Sequence, residues 1–383
     1  MSRRTLLLCA AAALFEGFDN QSMGVAAPRI TAEFALTAGE KGFVFSAAAI
    51  GLAIGAIVGG RAADILGRKR TLVASLFVFG SFSLLTAFAV NAQTFFLARL
   101  LTGLGLGGAM PNFIALASEA AHPKRRLAAV TMVTAAMPFG GSIAALMALG
   151  DRFGLDWTAI FHVGGIGPIA VAIAMTRWLP ASVAVQFPAE SNVRVASIAA
   201  TLFASQRART TLLLWVGFFF TQLLLLLMLN WLPSLLIGFG FTTTQASWAS
   251  VCFNVSGGIG AIVLSRLHAG AHRRAWVLTT YLGIAVSLAL IPSVGATFLG
   301  VATACAFAGV FIIGAQLILF ALAPLYYDTS VRSTGVGASV AVGRLGSIVG
   351  PLFASALLVG GGSSASVLLG ILPFVVVSGT AAF

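Results

Sequence analysis

Gly60-Arg61-Ala62-Ala63-Asp64-Ile65-Leu66-Gly67-Arg68-Lys69-Arg70 brings glycine, an acid and a basic run together in one short segment. On either side lie apolar runs, at about 43–63 and 71–91, each long enough to cross a bilayer core as a helix. The segment therefore reads as a charged loop between two membrane spans. Composition agrees: residues of the AVILMFWYC set make up 59%, those of the DEKR set only 8%, and mean hydropathy is +1.02. Soluble domains carry about 25% charged residues, so a soluble chain with this composition would lack the polar groups to cover its surface. The net charge of +12 does not point to nucleic acid, because the basic residues are spread through short loops and not gathered on one face.

Working outward, further apolar stretches lie at about 5–27, 95–118, 127–149, 159–179, 210–232, 245–265, 275–293, 297–323, 334–357 and 364–383, which makes about twelve spans. Arg3-Arg4 before the first stretch resembles a signal peptide, but Glu16 and Asp19 inside it make it a retained span. Loop charge tests the count. With the N-terminus placed in the cytoplasm, the outside segments hold only Arg29, Lys41 and Arg152. Arg99 and Arg344 stay inside spans, and the rest of the 22 lysines and arginines fall inside the cell. That alternation follows the positive-inside rule and predicts cytoplasmic termini. Cys9, Cys252 and Cys305 lie within apolar runs at spacings that suit neither a metal nor a disulfide.

The chain also repeats itself. Ile54-Gly55-Ala56-Ile57-Val58 recurs as Ile259-Gly260-Ala261-Ile262-Val263, and at the same offset of about 205 residues Arg61, Arg68 and Lys69 match Arg266, Arg273 and Arg274. Gly141-Ser142-Ile143 matches Gly346-Ser347-Ile348. The longest polar interruption falls halfway. The expected organisation is a six-helix bundle at 1–179, a cytoplasmic linker at 180–209 and a second six-helix bundle at 210–383. Parallel repeats of this kind place a substrate site between the halves near the midplane.

The opening segment closely resembles the G-x-x-x-D-R-x-G-R-K signature of the major facilitator superfamily. Ile65 stands where that signature has Arg, which leaves one local ion pair without its cation. The resemblance implies that Gly60, Asp64, Gly67, Arg68 and Glu119, at the end of span 4, serve gating. Asp64, Arg68 and Glu119 would latch the outward-facing state, with the acid against the N-terminus of span 11 near Ser333. The alternative is a plain basic loop. In the second copy Ala269 stands in place of the acid.

Span 4 reads Arg99-Leu100-Leu101-Thr102-Gly103-Leu104-Gly105-Leu106-Gly107-Gly108. Glycines at this spacing let a neighbouring helix come close, and an arginine at this depth needs a partner or water. Span 1 supplies candidates in Glu16-Gly17-Phe18-Asp19, two acids at i and i+3 on one helix face. The predicted proton-coupling set is Glu16, Asp19 and Arg99; a structural tie without proton movement is the other reading. The span 1 pattern resembles the aromatic acid:proton symporter family. Phe113–Glu119, Asn230-Trp231-Leu232-Pro233, Ala321–Tyr327 and Gly335–Gly346 resemble it too. The likeness is greatest to those members that carry 3-(3-hydroxyphenyl)propionate.

That resemblance implies an all-α membrane protein of about twelve helices in two pseudo-symmetric six-helix bundles. It would import an aromatic carboxylate with protons across the inner membrane of a bacterium. No cofactor or metal is expected beyond the coupling proton, no nucleic acid partner, and the working unit is a monomer in the lipid bilayer. Arg344 in span 11 is expected to face the cavity and attract the carboxylate, as a guanidinium binds carboxylates in two-pronged fashion; snorkelling to the cytoplasmic side is the alternative. Gln21, Asn112, Asn230 and Gln316 are candidates for ring hydroxyls or for helix–helix hydrogen bonds, and Trp231 for stacking on a ring. Two other functions fit the sequence less well. A membrane enzyme would need a nucleophile–base pair or metal cluster at membrane depth, and the spans offer only scattered His and Cys. An exporter of the same fold is represented in span 5 only by the fragment Met137-Pro138-Phe139-Gly140-Gly141, and a benzoate-type acid is the alternative cargo.

Overall fold

Apolar runs of spanning length have no water to satisfy their peptide groups, so each closes its own hydrogen bonds as a helix. The computed structural model describes residues 3–122, 126–153, 156–179, 203, 207–268, 273–294, 297–323, 326–327 and 332–383, and nearly all of these are helical. In chain order the spans are α1 (Arg3–Phe34), α2 (Ala38–Leu66), α3 (Arg68–Thr86), α4 (Ala92–Ala120), α5a (Arg126–Thr134) with α5b (Ala136–Met147), and α6 (Thr158–Trp178). The second set is α7 (Arg207–Gly238), α8 (Thr243–His268), α9 (Arg273–Ser293), α10 (Phe298–Leu322), α11 (Arg332–Val359), and α12a (Ser364–Gly370) with α12b (Leu372–Ala382). Ten of these spans are apolar and long enough to cross a membrane. The other two are α1, which carries Glu16 and Asp19, and α3, which opens with the basic run. Most of the expected linker, 180–209, lies outside the described residues.

Two spans are broken, each beside a proline. Pro138 and Pro373 sit in the first turns of α5b and α12b, where a missing N–H and a bulky ring interrupt the preceding helix. Between α2 and α3 the chain turns at Gly67, whose φ of 86° is a left-handed value that glycine adopts without strain.

Helix pairing repeats with a period of six spans. In the first half α1 packs on α4, α5b and α6, α2 on α4, and α3 on α4 and α6. In the second, α7 packs on α10, α11 and α12b, α8 on α10, and α9 on α10 and α12b. Across the halves α2 meets α11, α5b meets α8, and α1 meets α7, which are contacts a two-fold exchange of the halves maps onto themselves. The duplication in the sequence is thus a duplication of architecture. Large apolar side chains such as Ile57, Ile173 and Leu299 remain exposed on the perimeter, as lipid-facing residues do.

Glycine spacing sets a close seam between α2 and α4. A Cβ on Gly51 or Gly55 of α2 would lie 1.9 Å from Leu100 O or 2.1 Å from Leu104 O. In return, one on Gly103 or Gly107 of α4 would lie 2.0 Å from Ala48 O or 2.1 Å from Leu52 O. The span 4 glycine run therefore serves backbone-to-backbone packing.

Candidate functional site

The two halves enclose a cavity of about 1110 Å³. Its wall comes chiefly from α1, α2, α4 and α5 on one side and α7, α8, α10 and α11 on the other. It runs from Met23, Phe45 and Asn230 in the interior to Ile114, Val130 and Leu322, near the end that carries the α2–α3 loop (the basic end).

Toward the opposite end the halves are sealed. Ser46 Oγ donates to Ile348 O at 3.0 Å and Ser355 Oγ to Ala38 O at 2.7 Å, joining α2 to α11. Gln21 Nε2 donates to Leu229 O at 3.1 Å, and Gln21 Oε1 accepts from Asn254 Nδ2 at 2.8 Å, joining α1 to α7 and α8. Trp231 is fully buried, 5.1 Å edge-on from Phe45, with Lys41 Nζ 5.1 Å over its ring. Hence Gln21 and Trp231 stand in the seal, and in this conformation neither lines the cavity. Asn112 is also off the wall, with its side chain donating to Gly108 O one turn back at 2.8 Å. Asn230, Gln316 and Arg344 do line it. Arg344 Nη2 lies 2.6 Å from Met110 Sδ on the other half.

The acids of α1 have unlike surroundings. Asp19 and Arg99 form a two-pronged pair, Nη1 to Oδ1 and Nη2 to Oδ2 both at 2.7 Å, with side chains only 1% and 2% exposed. Phe161 lies under the guanidinium at 5.7 Å. This pair lies wholly within the first bundle. Glu16 is equally buried, but both its carboxylate oxygens lack a hydrogen-bond partner among the described residues. Its charged neighbours are Arg344, across the bundle interface, which attracts it, and Asp19, which repels it. The expected triad of Glu16, Asp19 and Arg99 is thus divided: Asp19 takes Arg99, and Glu16 faces a cation of the other half.

At the basic end Arg68 pairs with Glu119, both partly exposed. Lys69 Nζ donates to Thr176 O and Leu179 O at the end of α6. The loop motif so ties α3 to the ends of α4 and α6. The side chains of Asp64 and Ser333, on which the expected latch to α11 depends, lie outside the described residues. Gly60 has open space where a Cβ would be.

Sequence reasoning did not single out Asn20, Gln222, Asn254 or Ser347, which also line the cavity. Gln222, Asn254 and Ser347 stand in mostly apolar spans, a signal shared with ordinary helix–helix hydrogen bonds, and Asn20 is masked by the acids beside it.

Two like bundles around a polar-spotted cavity, sealed at one end, define a membrane transporter. The chain belongs to the Major Facilitator Superfamily, whose family model matches residues 9–351. It is 41% identical over 379 residues to the 3-(3-hydroxy-phenyl)propionate transporter of Escherichia coli (strain K12), covering 99% of this chain and 93% of that one. To the 4-hydroxybenzoate transporter PcaK of Pseudomonas putida it is 32% identical, covering 93% and 86%. Among solved structures, a D-xylose-proton symporter superposes with a TM-score of 0.79 at 15% identity, covering 99% and 96%. The chain is accordingly a transporter and not an enzyme.

Proposed function

We propose that this protein is a proton-coupled symporter that imports an aromatic carboxylate, 3-(3-hydroxyphenyl)propionate or a near relative, by alternating access across a bacterial inner membrane. The observation that carries the reading is the cation Arg344 on the wall of a largely apolar cavity, with the unpaired carboxyl of Glu16 beside it. An apolar cavity suits an aromatic ring, and a guanidinium suits its carboxylate. The names of the relatives favour the same cargo.

In this reading the basic end is cytoplasmic, so the conformation is inward-facing. Asp19 and Arg99 hold the first bundle together, while Glu16 takes up and releases the coupling proton. Substrate bound at Arg344 and a proton on Glu16 together neutralise the site, which favours rocking of the halves. When the cavity faces inward and the substrate leaves, Arg344 again attracts the Glu16 carboxylate, and the proton departs. The motif around Asp64, Arg68 and Glu119 favours closure of the cytoplasmic end. The working unit is a monomer.

Uptake of 3-(3-hydroxyphenyl)propionate into proteoliposomes under an inward proton gradient tests this. Accumulation abolished by a protonophore is the expected result. Downhill equilibration insensitive to the gradient would remove proton coupling, and uptake of benzoates alone would replace the substrate.

A further inference from the structure

Most polar atoms buried in this molecule have a hydrogen-bond partner, as burial requires. Among the described residues, those that both lack a partner for a buried polar atom and line the cavity are Arg99, Gln222, Gln316 and Ser347. Arg99 already holds Asp19. Gln222 on α7 is 6% exposed and Ser347 on α11 only 2%. Gln222 Oε1 and Ser347 Oγ have no partner, each other included.

Helix packing brings the stretches that carry these two residues into contact. A Cβ on Gly346 would lie 2.0 Å from Phe219 O, and one on Gly350 2.5 Å from Leu223 O. The backbone of α11 is therefore in contact with α7 on both sides of Gln222. Ser347 follows Arg344 by three residues, which puts it on the same face and about 4.5 Å further along the axis. Because α11 runs inward from the basic end, Ser347 lies deeper than Arg344. Gln316 lies the other way, six residues before the end of α10 at the basic end, about 9 Å from it.

We propose that Gln222 and Ser347 form a subsite that reads a ring hydroxyl on the substrate, one turn deeper than the carboxylate held at Arg344. A phenol suits both atoms at once. Its O–H donates to Gln222 Oε1, and its oxygen accepts from the Ser347 hydroxyl. An unsubstituted ring leaves two buried polar groups unsatisfied, and an ether accepts but cannot donate. Sites built to bond a hydroxyl reject analogues that lack it for this reason. The inference rests on the aromatic-acid reading above and adds to it the ring substituent.

The test is transport by the full chain in proteoliposomes, with labelled 3-(3-hydroxyphenyl)propionate competed by 3-phenylpropionate and by the 3-methoxy ether. Wild type should favour the hydroxylated acid over both competitors by about tenfold or more, the effect of one or two buried hydrogen bonds. In Gln222→Leu and in Ser347→Ala that ratio should fall severalfold toward one. Ser347→Ala removes a single oxygen, so it decides the matter if Gln222→Leu fails to fold, as judged by thermal unfolding in detergent. A wild-type protein that carries hydroxylated and unsubstituted acids equally well, or variants that keep the wild-type ratio, would overturn the subsite and leave the aromatic-acid reading standing. A wild-type protein that carries no aromatic acid overturns both.

Discussion

The two bundles share one pattern of helix pairing and divide the chemistry between them. In the first, the charges at membrane depth are mostly settled: Asp19 has Arg99, and the α2–α4 seam is backbone against backbone. In the second, several polar groups of the cavity wall stay open: among the described residues Arg344 makes no salt bridge to an acid, and Gln222 Oε1, Gln316 Oε1 and Ser347 Oγ have no hydrogen-bond partner. Glu16 is the exception in the first bundle, and its attraction is to the second. Duplication preserved the frame, which is set by packing. The polar residues that face the cavity differ between the halves. In the proposed reading a settled half supplies rigidity, and an unsettled half supplies the groups a ligand completes.

The sharpest way to break this contrast is to unsettle the first bundle. Asp19→Asn leaves Arg99 buried without its counter-charge, a loss of about 3–5 kcal/mol for a buried pair. Folded yield and thermal stability in detergent should both drop steeply; a stable variant would mean that the pair is not structural. Gly103→Val should be nearly as damaging, because its side chain would start 2.0 Å from Ala48 O.

In the second bundle the same logic predicts lost affinity with the fold retained. Arg344→Ala should raise the half-saturating concentration of the substrate by about tenfold to a hundredfold, the scale of a charge-assisted hydrogen bond. Arg344→Lys should recover only part of it, since an ammonium lacks the two-pronged fit. If Arg344→Ala unfolds the protein and leaves the affinity of any folded fraction unchanged, the division of labour is wrong. The smallest effect belongs to Arg68→Ala. The Arg68–Glu119 pair is partly exposed, at 34% and 45%, so stability should change by under about 1 kcal/mol. A change in uptake rate there without a change in stability would sharpen the gating role.

The frame was legible in the sequence because membrane insertion writes it plainly. Apolar length marks the spans, loop charge fixes their alternation, and a repeat offset reveals the halves. The glycines of span 4 and the cost of burying Arg99 were legible for the same reason. What the residues do at the cavity was less so. Glu16 and Asp19 are one turn apart and chemically alike, and only the three-dimensional fold shows that one is paired while the other faces Arg344. Gln21 and Trp231 look like ligand groups in a string of letters, yet they stand in the seal. Gln222 and Ser347 carry no distinguishing signal in the sequence, since a bonded and an unbonded polar side chain look the same in one dimension.

Proton coupling through Glu16, whose carboxylate oxygens have no hydrogen-bond partner among the described residues, is the proposed route. It is tested most directly by following external pH while 3-(3-hydroxyphenyl)propionate is added to lightly buffered proteoliposomes with no imposed gradient. Wild type should alkalinise the medium as substrate enters. Glu16→Gln should carry substrate down its own gradient with no proton signal. Substrate entry by Glu16→Gln with an undiminished proton signal, or by wild type with none, would contradict the account.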